Sequence, residues 1–201
     1  MNVNISTYCT VSNHLVKVNG TEYFEGAPDE PNFLKALYQK LEMSYPKFFK
    51  MDDLSKLGVL GVELLKLHNP EISNYLDDEI GLVFQTSKGC ISSDLSHQEK
   101  VNKKSPSPSI FVYTLANIVI GEISIKNKWF GESILFIAEE NDTSSTINYL
   151  KSLILTNKSK CCILGIIDAY DNKTELKMAL ITKQELGIAL NEQNLKAIFE
   201  K

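Results

Sequence analysis

Arginine is missing from this chain of 201 residues; all 21 basic side chains are lysines, set against 25 carboxylates for a net charge of −4. Arginine supplies most bidentate recognition of guanine and phosphate. A mildly acidic chain without it is poorly suited to nucleic acid, and none is expected as a partner. Long apolar runs are missing too. No stretch approaches the ~20 residues needed to cross a bilayer, so no membrane span is expected. Met1 to Thr10 lacks the basic stretch and following apolar segment of a secretory signal.

Cysteine is scarce and unpatterned. Cys9, Cys90, Cys161 and Cys162 form no Cys-x-x-Cys pair. With no export signal, reduced thiols and a cytoplasmic location are expected. His14, His68 and His97 are too far apart in sequence to suggest a metal-ligand set. No Gly-x-Gly-x-x-Gly follows an apolar run, and no Gly-x-x-x-x-Gly-Lys-Ser/Thr occurs. Dinucleotide and P-loop chemistry lose their main support. No metal and no cofactor are expected.

What remains is the composition of an ordinary globular protein, 43% hydrophobic and 23% charged. That is enough apolar material for a sizeable core, and the length suits one domain spanning 1–201. Asn4 to Val11 and His14 to Val18 read as a strand or hairpin. Phe33 to Leu41 and Leu54 to Leu65 carry apolar residues at helical period, and Asp52 or Asp53 is placed to cap the second helix. Ile80 to Thr86, Ser133 to Ala138 and Cys161 to Asp168 are short apolar runs of the kind buried on both faces of a sheet. Leu176 to Thr182 is a fourth.

Between them, Ser87 to Ser109 reads as a long polar loop with at most a helical turn near Asp94 to Val101. Leu115 to Trp129 reads as a buried helix. Asn141 to Ser144 are helix-start residues leading into a helix up to Leu155, and Asn191 to Phe199 is a weak terminal helix. Buried strands alternating with helices predict an α/β fold: a mixed, five-stranded-type sheet with helices on both faces.

Several segments, in order, resemble the N-terminal half of a β-ketoacyl-acyl-carrier-protein synthase of the thiolase fold. They are Phe49-Lys50-Met51-Asp52 with the helix to Leu65, Ile80 to Gly89, and Pro108 to Asn117 with Gly121 to Ile125. Gly131 then stands where that family has a glycine before its nucleophile strand, and Cys162 to Asp168 resembles the strand after the nucleophile helix. The resemblance covers roughly residues 45–170, where any one piece alone would be weak. It implies a thiolase-like N-terminal half.

Two departures bear on activity. Counted without gaps from Gly131, the position of the family's nucleophilic cysteine falls on Glu140. A carboxylate gains from a helix N-terminus as a thiolate does, but forms no stable thioester intermediate. The family's two active-site histidines come from a second half, and no histidine follows His97 here. Substitute chemistry would fall to Cys90 as nucleophile with His97 as base, against the plainer reading of a packed loop cysteine. Glu139, Glu140 and Asp142 read first as carboxylates at the positive end of a helix, and second as remnants of a substrate site. Asn117 carries the family look as a substrate contact, or else bonds backbone at a helix start. Cys161 and Cys162 alternate faces and cannot share a site. Lys100, Lys103 and Lys104 form a basic run that could meet an acyl carrier protein, or simply a solvated face.

The resemblance implies a catalytically degenerate ketosynthase-like subunit in fatty-acid or polyketide assembly, including aryl-polyene pigment. It would serve an active ketosynthase much as a chain-length factor does. A homodimer or heterodimer through the strand Ser133 to Ala138 is implied, and an acyl carrier protein as a further partner. The rivals are an acyltransferase using Cys90 and a non-enzymatic acyl-binding or scaffold module.

Overall fold

In a computed structural model, the structure describes residues 3–27, 32–139, 142–171, 173–184 and 186–200. β1 (Asn4–Ser12), β2 (Leu15–Val18) and β3 (Thr21–Glu25) form an antiparallel meander. Both of its turns use positive φ, at Asn13 and His14 and at Asn19 and Gly20. Two-residue turns of this kind match the twist of the strands they join.

α1 (Phe33–Lys40) and α2 (Asp53–His68) follow. Asp52 caps α2 as expected, its carboxylate accepting from the Ser55 amide at 3.0 Å. β4 (Ile80–Thr86) leads into α3 (Ile91–Asn102), α4 (Pro108–Phe111), a single 3-10 turn (Val112–Thr114) and α5 (Ile118–Asn127). β5 (Ser133–Ile137), α6 (Ser144–Leu155), β6 (Cys161–Tyr170), β7 (Lys173–Thr182), β8 (Ile188–Ala189) and α7 (Glu192–Phe199) complete the order.

The strands join one sheet in the order β3-β2-β1-β7-β6-β4-β5, with β8 paired to the start of β1. β4 runs parallel to both β5 and β6, and the other pairings are antiparallel. Every residue of β4 is buried, as the unbroken apolar run predicts.

Helices cover both faces. Cys161, Ile163 and Ile167 of β6 pack in one cluster with Leu57, Leu60 and Leu64 of α2 and Ile123 of α5. Cys162 and Leu164, pointing the other way, pack with Ile147, Leu150 and Ile154 of α6 and Leu195 and Ile198 of α7. Each such fully buried aliphatic side chain contributes about 1.5–3 kcal/mol. α2 lies close against the sheet because Gly61 has no Cβ; one added there would stand 2.5 Å from Leu176.

Four expectations need correction. Among the described residues the sheet has eight strands rather than a five-stranded type; β3, whose Glu22 and Glu25 break the apolar pattern, was not anticipated. The segment read as a polar loop holds the twelve-residue helix α3, which escapes periodicity analysis because Ser93 is its only buried residue. The apolar stretch from Leu115 to Trp129 is not one buried helix. Only Ile118–Asn127 is helical, and Leu115 and Ile125 are exposed. Lastly, β5 is an edge strand, half-exposed, rather than a buried one.

Candidate functional site at the carboxyl ends of the parallel strands

β4, β5 and β6 end side by side, and ligands of open α/β sheets gather outside such carboxyl ends. A cavity of about 630 Å³ opens there, with Ile166 in its floor and Lys88, Glu139, Asp168, Tyr170 and Lys173 around it. The charge of this lining is mixed.

Two polar anchors, Gln85 buried and Asp168 half-buried, shape the rim. Gln85, fully buried at the end of β4, donates from Nε2 to the Glu139 carbonyl at 2.9 Å. Its Oε1 accepts from the Thr146 hydroxyl of α6 at 2.7 Å. The turn from β5 to α6 is thereby tied to β4. Asp168, near the end of β6, accepts from the Thr86 hydroxyl at 2.7 Å, the Ser87 hydroxyl at 2.7 Å and the Lys88 amide at 2.8 Å. These bonds hold the chain as it leaves β4. Sequence reasoning did not single out Gln85 or Asp168. The available signal was one polar residue near the end of an otherwise apolar strand, which a buried strand tolerates only when its polar atoms are bonded.

Glu140, on which the ungapped count from Gly131 falls, and Asn141 lie outside the described residues. Their neighbour Glu139 is exposed, and Asp142 accepts from the Ser144 hydroxyl at 3.0 Å. Thr143 occupies the cap position of α6 without a side-chain bond.

Cys90 and His97 are not brought together. Cys90 stands at the start of α3 and His97 two turns later, about 10 Å along the helix axis at 1.5 Å per residue. The Cys90 thiol donates toward Asp94 at 3.6 Å. Burial, then the Asp94 carboxylate, push it up to about 11, the wrong direction for a nucleophile. His97 packs against Phe111 with ring centroids 5.3 Å apart.

Asn117 is exposed at the head of α5 and its side chain makes no cap bond, so the expected bonding to backbone is absent. Cys161 and Cys162 lie on opposite faces as expected, both buried. Lys103 pairs with Glu99 on the exposed side of α3. Among the described residues, no group of three or more His, Cys, Asp or Glu side chains is placed to hold a metal ion. No single helix among them is long and apolar enough to cross a membrane.

A second cavity of about 320 Å³ lies on the other side of the sheet end, between α2 and the α3–α4 segment. The Asp52 carboxylate lies in its wall and accepts from Ser93 at 3.2 Å. Burial raises its pKa above the ordinary carboxylate range, against the lowering effect of the Ser55 and Ser93 bonds.

The architecture is α/β and ketosynthase-like. A chain of the complex of ketosynthase ApeO with its chain length factor ApeC from Xenorhabdus doucetiae superposes with a TM-score of 0.65 at 13% identity, over 100% of this chain and 91% of that one. A chain of the ishigamide ketosynthase/chain length factor matches with a TM-score of 0.68 at 13% identity, over 94% of this chain and 64% of that one. A β-ketoacyl synthase from Burkholderia phymatum matches with a TM-score of 0.63 at 10% identity, over 92% and 59%. The chain therefore spans nearly all of the first and under two thirds of the other two. No protein-family model matches the sequence, and no curated protein does.

Proposed function

We propose that residues 1–201 act as one domain, a non-catalytic ketosynthase-like subunit of the chain-length-factor type, paired with an active ketosynthase in fatty-acid or polyketide assembly. The observation that carries this reading is the contrast between the two edges of the sheet. β3 is guarded by Glu22 and Glu25. β5, with the sequence Ser-Ile-Leu-Phe-Ile, carries no charge. Phe130 just before it and Ile137 at its end are 76% and 73% exposed. An uncharged apolar edge invites strand addition and aggregation unless a partner covers it. Two-fold pairing of strands across such an edge satisfies the backbone groups and buries the side chains.

Ketosynthase and chain length factor structures share this fold, which supports a partner of that kind. Glu140, on which the family's cysteine position falls when counted from Gly131, supports a role without bond formation. The raised Cys90 thiol weighs against the acyltransferase alternative. A cytoplasmic location and an acyl carrier protein as third partner belong to the same reading.

The test is co-purification with a full-length ketosynthase from the same gene neighbourhood, followed by condensation assays with acyl and malonyl carriers. The pair is expected to elongate and this chain alone to form no β-ketoacyl product. Condensation by this chain alone, or a labelled acyl adduct on Cys90, overturns the reading.

A further inference from the structure

Between the end of β4 and the start of α5, the chain runs through α3, α4 and the 3-10 turn, and only Ser93 and Tyr113 of these elements are buried. Ile91, Leu95, Val101, Phe111 and Val112 stay exposed. Apolar burial is the main source of stability in a fold, and this segment draws on it only through Tyr113. Beneath it lies the 320 Å³ cavity, with Met51, Leu54 and Ala169 on the body side and Ser96, Ile110 and Tyr113 on the segment side. Where helix and body would ordinarily interlock, there is open space.

What holds the segment down is a few side-chain hydrogen bonds. The Ser93 hydroxyl donates to Asp52 Oδ2 at 3.2 Å and the Ser92 hydroxyl to the Ala169 carbonyl at 3.4 Å. At the far end, the Tyr113 hydroxyl donates to Glu122 Oε1 at 3.1 Å, and the other oxygen of that carboxylate pairs with Lys47 at 2.6 Å.

The near end has a sharp boundary. Asp168 grips the chain through the Ser87 and Lys88 amides. The next residue, Gly89, has φ +60°, with nothing within 4 Å of where a Cβ would stand. Glycine visits that region without penalty, and its buried amide donates to the Thr86 hydroxyl at 2.9 Å, so the anchored stretch runs up to Gly89 and ends there.

We propose that residues 89–114 form a flap, hinged at Gly89 and latched by Ser93–Asp52 and Tyr113–Glu122, that opens as one unit and gates the cavity between α2 and α3. Segments with few buried apolar contacts open at a fraction of the free energy of global unfolding, and do so cooperatively. The gate requires no partner, so it stands or falls apart from the subunit reading.

Hydrogen–deuterium exchange on the full chain tests it. Amides of α3 and of the 3-10 turn are expected to exchange together, ~100-fold or more faster than those of α2 and β4. Ser93→Ala and Tyr113→Phe each remove one latch bond and are expected to speed flap exchange about fivefold, leaving α2 and β4 unchanged. Cys90 lines the cavity while Cys9, Cys161 and Cys162 are buried, so its alkylation rate should rise in step. Protection of α3 equal to that of α2, or variant effects that are absent or spread over the whole chain, overturns the flap.

Discussion

The Gln85 amide donates 2.9 Å to the Glu139 carbonyl, joining the buried end of β4 to the loop that leaves the edge strand β5. Its oxygen is spoken for by Thr146 at 2.7 Å. Thr146→Val keeps the shape of the side chain and leaves Gln85 Oε1 buried without a donor. An unsatisfied buried acceptor costs about 1–3 kcal/mol. Urea denaturation should show that loss as a lower midpoint with an unchanged slope. A variant as stable as the wild type would mean that water or another group takes the bond.

The uncharged edge makes a separable prediction. Ile137 is exposed, whereas Leu135 packs against the core. Ile137→Lys should therefore abolish association while leaving the circular dichroism spectrum and melting temperature near wild type. Leu135→Lys should lower both assembly and stability. Sedimentation velocity at micromolar concentration checks this, with the protein alone and mixed with its ketosynthase. A wild-type chain that stays monomeric and soluble in both settings defeats the pairing.

The thiols set a pH dependence. Burial pushes Cys162 up to about 12, and Cys9 and Cys161 still higher. In the unfolded chain a cysteine ionises near ~8.5, so above that pH the unfolded state sheds protons that the folded state keeps. The stabilisation is complete below pH ~8.5 and is lost as pH rises toward the folded values, by up to about 1.4 kcal/mol per pH unit for each buried thiol. Urea midpoints should fall between pH 8.5 and 10. A flat profile over that interval contradicts the burial of the three thiols.

Restoring a cysteine should not restore chemistry. Glu140→Cys supplies a thiol, but His14, His68 and His97 stand apart, packed against Phe33, Tyr23 and Phe111 in turn, so no pair of them is placed to serve decarboxylation. Groups that act as one unit lose nearly all activity when any member is missing. The purified variant, incubated alone with acyl and malonyl carriers, should form no β-ketoacyl product, as mass spectrometry of the carriers would report.

Much of the fold was legible because periodicity reports burial. The unbroken apolar runs starting at Ile80 and Cys161 became interior strands, and the spacing from Leu54 to Leu65 became α2, begun where Asp52 can accept from the Ser55 amide. α3 was not legible. A helix that buries little more than Ser93 leaves no apolar stripe to read.

The sequence by itself determined the α/β alternation, the capping of α2, and the opposite faces of Cys161 and Cys162. Each is local, set by side-chain type and by a period of two or 3.6 residues. Only the tertiary structure decided that β5 stands at an edge, since strand order depends on pairings between segments far apart in the chain, such as β1 with β7. It also separated Cys90 from His97 and joined Asp168 to Ser87, 81 residues away, because the sheet register rather than sequence spacing sets which side chains meet.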